Sequence, residues 1–509
     1  MSQRETSAFA LPKCVGMFQG RKNEKSKSGG RPLAEGTAGH AEDTTNAENT
    51  PEVTGGAFGK KGIGWAIFEW ARNPYYNTVV IYVFTPYFAS QVIKDGELGQ
   101  TLVGATIAIA GVIMAIVAPI LGGVVDTAGR KKPFVFWTLG VLVVCSLLLG
   151  LVTPSLPGAI PIGMFLLVVG YCAYTVSELL HNAMLPGAGK PSALPMVSGL
   201  GLSLGNAAGM IILIAVAALG SASVFGLDPE TDIPRLSAPA IGIWLALFIP
   251  IFFLLMPDVY KPGATWSKAL SDFRDPQNRV PPYKWVKSRF EQYPNVMRYL
   301  VGRMIYADGI AAMLTIGAVY VSGVLEWSSQ QLAVYGILAS FFAVAGGFLG
   351  GFLDGLLGPK RALIFELSTA ILIGIFQLSI TQEALLFGLI PGDQIVWEGG
   401  IFQTLSDVSY LVAVIPAAIF LVATISSSRY MLLHVSPPEK VGEFFGFYAM
   451  AGSVTVWLGP GSVALVTWLT DDLRIGFTPV LVLLLTGLVI LSTVRADKTP
   501  EHMKANPTY

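Results

Sequence analysis

The stretch Phe68-Glu69-Trp70-Ala71-Arg72-Asn73-Pro74-Tyr75-Tyr76 sets Glu69, Arg72, Asn73 and Tyr76 at i, i+3, i+4 and i+7. A helix there lines up an acid, a cation, an amide and a phenol on one face. Ionisable groups inside long apolar runs are costly, so each is a candidate for binding or coupling until a partner is named. Pro74 also frees a backbone carbonyl near that face. The competing reading is a Glu–Arg pair snorkelling at the end of the helix. Glu178, His181 and Asn182 share a second face that ends at Leu185-Pro186, which suits either a solute site or an inner gate. Arg303 and Tyr306 share a third, with Asp308 well round the helix and deeper in the run. Asp308 is the residue best placed to exchange a proton; an ion pair with an arginine of another helix is the alternative. Gln403, Asp407 and Tyr410 form a fourth face, which also reads as a solvated helix start. Asn206 is the one polar group that could face a cavity from a small-residue run, Ser198-Gly199, Gly201, Gly205 and Gly209, that otherwise signals close helix packing. Together these groups could bind an anionic or zwitterionic solute, with its carboxylate on Arg72 or Arg303 and a proton on Asp308.

Common enzyme chemistries find no support. Gly55-Gly56-Ala57-Phe58-Gly59-Lys60-Lys61 lacks the spacing and hydroxyl of a phosphate loop. There is no His-Glu-x-x-His or Cys-x-x-Cys, and four histidines, with His40 and His502 near the ends, make no metal set. We expect neither an enzyme nor a bound cofactor or metal.

The elements that must position these residues are membrane helices. The 509 residues are 53% hydrophobic and 13% charged, with mean hydropathy +0.60. Soluble chains average about 25% charged residues. Net charge is zero, which gives no argument for nucleic acid, and Cys145 and Cys172 lie in apolar runs, so a disulfide framework is not expected. Runs long enough to cross a bilayer fall near 66–92, 99–125, 133–153, 159–183, 194–220, 238–257, 297–324, 331–357, 361–381, 401–427, 441–469 and 474–494, twelve spans in all. The predicted fold is an all-α membrane protein of two pseudo-symmetric six-helix halves. Residues 1–60 form a polar tail of disordered composition and 61–257 the first half; 258–296 is a segment between halves, 297–495 the second half, and 496–509 a tail. The segment 258–296 either lies along the membrane with Trp266, Phe273, Tyr283 and Trp285 as anchors or is a solvated linker.

One motif occurs twice, at matched places in the halves. Gly122-Gly123-Val124-Val125-Asp126-Thr127-Ala128-Gly129-Arg130-Lys131-Lys132-Pro133 and Gly350-Gly351-Phe352-Leu353-Asp354-Gly355-Leu356-Leu357-Gly358-Pro359-Lys360-Arg361 both run glycine pair, acid, glycine, cations. Such internal symmetry points to a duplicated transport unit. Asp126 and Asp354 are expected to hold the turns against facing helix N-termini in an inner gate, with Arg130, Lys131, Lys360 and Arg361 fixing orientation and Arg429 closing the tenth span. Glu366 is expected to pair with Lys360 or Arg361. Lysine and arginine collect on the face of these turns, while the opposite loops carry Asp95, Glu97, Asp228, Glu230, Glu383 and Asp393. That asymmetry predicts both termini in the cytoplasm of a plasma (inner) membrane protein.

Finer motifs resemble one branch of the major facilitator superfamily, the vacuole-effluxer-like family. Its first-span signature, aromatic-Asp-Trp-Ala-Asn-Ser, is similar to Phe68-Glu69-Trp70-Ala71-Arg72-Asn73. Also similar are Asn182-Ala183-Met184-Leu185-Pro186, Ser198-Gly199-Leu200-Gly201, Tyr306-Ala307-Asp308-Gly309, Ser428-Arg429 and Gly442-Glu443-Phe444-Phe445-Gly446-Phe447-Tyr448 to Gly459-Pro460. This chain departs from the pattern at Glu69, at Arg72 and Pro74, and at Ser453 where the family has lysine. The resemblance implies a facilitator fold, alternating access and solute transport. The family's fungal members export amino acids from the vacuole; here Arg72 alters the charge of the pocket, so the solute stays open. The expected function is secondary transport of a small, amino-acid-like solute by a monomer in the lipid bilayer, with protons as a candidate co-substrate. A sugar, drug or peptidoglycan-fragment facilitator is the alternative, and a channel or membrane receptor leaves the duplicated turn or the buried charges unexplained.

Overall fold

The computed structural model describes Gly56 and residues 58–94, 96–222, 226–228, 231–258, 265, 271, 282–327, 329–455 and 458–496. These lie within one compact unit, Pro51–Tyr509. The polar tail, the C-terminal tail and most of 258–296, including Trp266 and Phe273, fall outside the described residues.

The described helices fall into twelve successive segments, numbered here as spans 1 to 12. Span 1 starts as α-helix Lys60–Pro74 and continues through π-helical Tyr75–Tyr82, a short α-turn Phe84–Tyr87 and π-helical Phe88–Ile93. Spans 2 to 6 are Gly96–Ala128, Lys132–Leu149, Ala159–Asn182, Leu194–Ala222 and Asp232–Leu255. Spans 7 to 10 are Pro294–Val324, Ser329–Leu357, Pro359–Leu378 and Leu405–Val435. Span 11 runs in two pieces, Val441–Val454 and Leu458–Thr470, and span 12 is Leu473–Ser492. Among the described residues nine helices are long and apolar enough to cross a membrane. Helix Pro282–Gln292 precedes span 7, and a small antiparallel hairpin, Ala384–Leu385 with Ile390–Pro391, joins spans 9 and 10.

Pro74 explains the change of helix type in span 1. A proline inside a helix removes one N–H and displaces the carbonyl four residues back. That carbonyl, on Trp70, accepts from the Trp244 indole N–H of span 6 at 3.1 Å, so it is not left open to a cavity. Span 10 also differs from the sequence expectation. It runs to Val435, so Arg429 does not close it but sits nearly two turns inside. The run Ser426-Ser427-Ser428-Arg429 reads as polar, yet all four residues are buried.

The two six-helix sets meet most closely beside the basic turns. A methyl on Gly122 of span 2 would collide with the Gly442 carbonyl of span 11. One on Gly199 of span 5 would collide with the Gly347 carbonyl of span 8, and one on Gly351 would lie 2.7 Å from the Pro195 oxygen. Only glycine permits backbones this near. Both basic turns also close on a left-handed glycine, Gly129 at φ 82° and Gly358 at φ 81°.

Candidate functional site

Five charged or titratable side chains from three spans converge: Glu69 and Arg72 of span 1, Glu178 and His181 of span 4, and Arg429 of span 10. Arg72 Nη2 donates to Glu69 Oε2 at 2.9 Å, and Arg72 Nη1 lies 3.5 Å from Glu178 Oε2. Arg429 Nη1 is 3.3 Å from Glu69 Oε1, and its Nη2 is 4.0 Å from Glu178 Oε1. His181 Nδ1 stands 3.6 Å from Glu69 Oε1. Two carboxylates thus face two guanidinium groups, and the arrangement is neutral with an uncharged imidazole. Buried charges persist only when paired in this way.

Aromatic rings fix the geometry. His181 is stacked between Trp65 and Phe68, each with ring centroids 4.0 Å away. The imidazole and indole are also cross-tied to each other's backbone: Trp65 Nε1–H donates to the His181 carbonyl at 3.0 Å, and His181 Nε2 lies 2.8 Å from the Trp65 carbonyl. The Arg72 guanidinium sits 4.1 Å above the Tyr174 ring, a close cation–π contact. Tyr174 in turn stacks on Tyr76 at 5.6 Å. Four of the five charged side chains are sealed, at 4% exposure or less, whereas the Glu178 side chain is 31% exposed. It is the open edge of an otherwise closed cluster.

The remaining residues singled out in the sequence lie elsewhere. Asn73 faces Gly205 of span 5, and Asn206 donates to the Leu202 carbonyl of its own helix at 3.0 Å. Arg303 does not join the cluster: its guanidinium lies 3.6 Å above the Tyr448 ring of span 11, and Nη1 donates to the Tyr448 carbonyl at 2.8 Å. Asp308 is buried, with Thr455 of span 11 beside its carboxyl and Oδ2 lacking a hydrogen-bond partner among the described residues. Gln403 is exposed in the loop before span 10 and bonds the Gly400 carbonyl. Asp407 forms a capping box with Thr404 and accepts from Trp327 Nε1 at 2.6 Å. Both are far along the chain from Arg429, at the other end of the helix.

Span 10 is the junction that sequence reasoning missed. The Ser426 carbonyl accepts from Ser198 of span 5 at 3.3 Å, and Ser427 Oγ donates to Glu366 Oε1 of span 9 at 2.9 Å. Ser428 pairs with Tyr306 of span 7 at 2.7 Å, while Tyr299 donates to its carbonyl at 2.5 Å. Arg429 then enters the cluster. Four consecutive residues therefore touch spans 1, 4, 5, 7 and 9. The motif Ser428-Arg429 was the only sequence signal for this.

The basic turns are tied down differently. Asp126 accepts from the Gly442 and Glu443 amides at 2.8 and 2.7 Å, capping the start of span 11. Lys131 Nζ donates to the Ala183 carbonyl at the end of span 4, at 2.6 Å, and Lys132 Nζ to the Phe253 carbonyl near the end of span 6, at 2.8 Å. Asp258 accepts from the Lys131 amide at 2.9 Å. Arg130 is exposed. Asp354 caps no helix; it is buried beside Ser427 and Glu366. Lys360 is half-buried and Arg361 exposed, and Glu366 bonds Ser427 rather than either cation, because its position turns it toward span 10. Helix Pro282–Gln292 stacks Trp285 on Phe447 at 4.8 Å and sends Arg289 to Glu443, so Trp285 packs on span 11.

Comparison with known proteins follows this geometry. The sequence profile described as vacuole effluxer Atg22 like matches residues 192–504. The chain is 24% identical over 464 residues to the uncharacterized MFS-type transporter YxiO of Bacillus subtilis, covering 87% of this chain and 97% of that one. It is 26% identical over 305 residues to autophagy-related protein 22 of Cryptococcus neoformans, covering 58% of this chain and 52% of the relative, about half of the fungal protein's length. Among solved structures, the proton:xylose symporter XylE superposes with TM-score 0.64 at 13% identity, over 88% of this chain and 98% of that one. FucP, a major facilitator transporter in its outward conformation, gives 0.62 at 12% identity, over 86% and 98%. These likenesses establish the major facilitator fold.

Proposed function

The chain belongs to the vacuole effluxer Atg22-like family of major facilitator transporters, and from that premise we propose that it carries a small amino-bearing solute by alternating access around the Glu69–Arg72–Glu178–His181–Arg429 cluster. The observation that carries this reading is the exposure of Glu178, 31%, beside four sealed partners. The open group is an anion, so the cluster offers itself first to a cation. The half-buried Tyr76 and Tyr171 flank the same stretch and suit an ammonium by cation–π attraction. An ammonium on Glu178 would compete with Arg72 and Arg429, at 3.5 and 4.0 Å, for the same carboxylate. The released guanidinium N–H groups could then receive the solute's own carboxylate. An amino acid satisfies both demands, in line with what resemblance to the fungal effluxers implies.

The cluster also joins the halves. Glu69 and Glu178 belong to the first six spans and Arg429 to the last six, so the solute would act on the ion pairs that hold the halves together. Asp126, capping span 11 across the same divide, is the gate contact to be broken when the basic face opens. Asp308, buried with one unpartnered oxygen, is the candidate for an exchanged proton. The basic face would lie in the cytoplasm, by the distribution of lysine and arginine. Ligand-induced stabilisation tests the reading, because a solute that binds only the folded state raises the melting temperature. Amino acids should stabilise the purified protein and neutral sugars should not, and Glu178→Gln should remove the effect. Stabilisation by sugars alone would overturn it.

A further inference from the structure

A second pair of acids in the membrane domain has no cation paired with it among the described residues. Asp354 lies in the last turn of span 8 at 2% exposure, and neither of its oxygens has a hydrogen-bond partner among the described residues. Glu366 of span 9 is at 0%, and its Oε2 is likewise unpartnered. The two carboxyl groups are near enough to interact, with the Ser427 hydroxyl within reach of both. From span 10 the groups that face them are Ser427, at 2.9 Å from Glu366 Oε1, and Tyr430, which interacts with Asp354. Tyr430 contacts the ring of His434 one turn on. Arg429, on the same helix, points instead to Glu69 and Glu178. Lys360 and Arg361 at the start of span 9 make no ion pair with either acid among the described residues. Two facing carboxylates sealed from water without a cation cannot both stay ionised. The ligand that removes such a charge without a cation is a proton.

We propose that Asp354 and Glu366 together form a proton-binding site whose occupancy controls closure of the basic face. The packing supplies the lever. Gly350, four residues before Asp354, packs on the Ala423 backbone of span 10, while its neighbour Gly351 packs on Pro195 and Met196 of span 5 in the other half. The acids therefore sit where span 8 is clamped between its own half and the opposite one. With a shared proton the pair stays together and the clamp holds. Loss of that proton places like charges in contact, drives them apart to reach water, and loosens span 8 from spans 5 and 10. The same movement is transmitted two residues along, from Ser427 to Arg429, and so to the charged cluster of the first half. This inference rests on the facilitator fold but not on the solute or on any role of Asp308.

The test needs no solute. The full-length protein, with Cys14, Cys145 and Cys172 replaced, carries spin labels at Lys190 and Glu439, exposed positions of the basic face in the two halves, and is placed in lipid nanodiscs. Label separation and the infrared carbonyl band of protonated carboxyl groups are followed from neutral to alkaline pH. In the parent, the band should fade as the separation grows. Asp354→Asn and Glu366→Gln should each lose the fading of the band and stay at the short separation throughout. Ser427→Ala keeps both acids but removes the hydroxyl that bonds Glu366, so its midpoint should differ from the parent's. A separation that grows identically in parent and acid variants, a band that fades in both variants as it does in the parent, or an unmoved Ser427→Ala midpoint would each overturn the proposal.

Discussion

Two groups of acids stand on either side of one stretch of span 10, and they are stabilised by opposite means. Glu69 and Glu178 are met by Arg72 and Arg429, with His181 stacked alongside. Glu366 is met by the Ser427 hydroxyl and Asp354 lies beside it near Tyr430, and neither acid has a cation paired with it among the described residues. The first arrangement keeps its charges by pairing them; the second can persist only by losing one. Ser427 and Arg429 belong to the two groups respectively, so a change of state on one side reaches the other within a single turn of helix. The comparison shows why counting acids inside spans does not identify their role: the partner on the neighbouring helix does.

Removing a partner should expose the difference most strongly. Arg72→Ala leaves Glu69 and Glu178 short of a cation, and breaking a buried pair in this way costs about 3–5 kcal/mol. Thermal unfolding in detergent should show that loss, and the double change Glu69→Gln with Arg72→Gln should cost less than the single one. Equal costs would mean the cluster is not held by its charges. Gly122→Ala comes next. Its methyl meets the Gly442 carbonyl across the halves, and overpacking of this kind costs about 1–3 kcal/mol. Interspin distances should show the basic face displaced toward the open state; an unmoved face would separate that contact from closure.

The cation-free pair should respond far less. Glu366→Gln keeps the shape and an acceptor for Ser427 while removing a charge that the pair does not carry, so a cost below about 1 kcal/mol is expected at neutral pH. A loss as large as that of Arg72→Ala would erase the contrast between the two regions. Arg361→Ala should be smallest, within about 0.5 kcal/mol, since the side chain is exposed and forms no ion pair among the described residues.

Much of the scaffold was legible because its causes are local. Apolar runs, glycine pairs and the lysine and arginine distribution mark spans and turns directly, and the placement of Glu69, Arg72, Glu178 and His181 on helical faces anticipated four of the five cluster members. The fifth was misread for a physical reason. Ser426-Ser427-Ser428-Arg429 resembles the polar end of a helix, but Ser428 bonds the Thr424 carbonyl of its own helix at 2.6 Å and its neighbours bond other spans, so the polarity is consumed inside the protein. Arg303 and Asp308 mirror Glu69 and Arg72 in sequence position, yet their contacts run to span 11, since the repeat matches positions but not neighbours. The duplicated turn makes the same point. Asp126 reaches across to span 11, whereas Asp354 turns inward to Ser427, and nothing in either motif states which helix lies opposite.

The central claim is that a solute docks on the open carboxylate of the paired cluster, and counterflow in vesicles tests it most directly. Purified protein, preloaded with the amino acid that gives the largest thermal stabilisation, should exchange it for the labelled form. Glu178→Gln should lose that exchange while keeping the parent's folded state by circular dichroism. Exchange by Glu178→Gln at the parent's rate would contradict the account and place the solute away from the cluster.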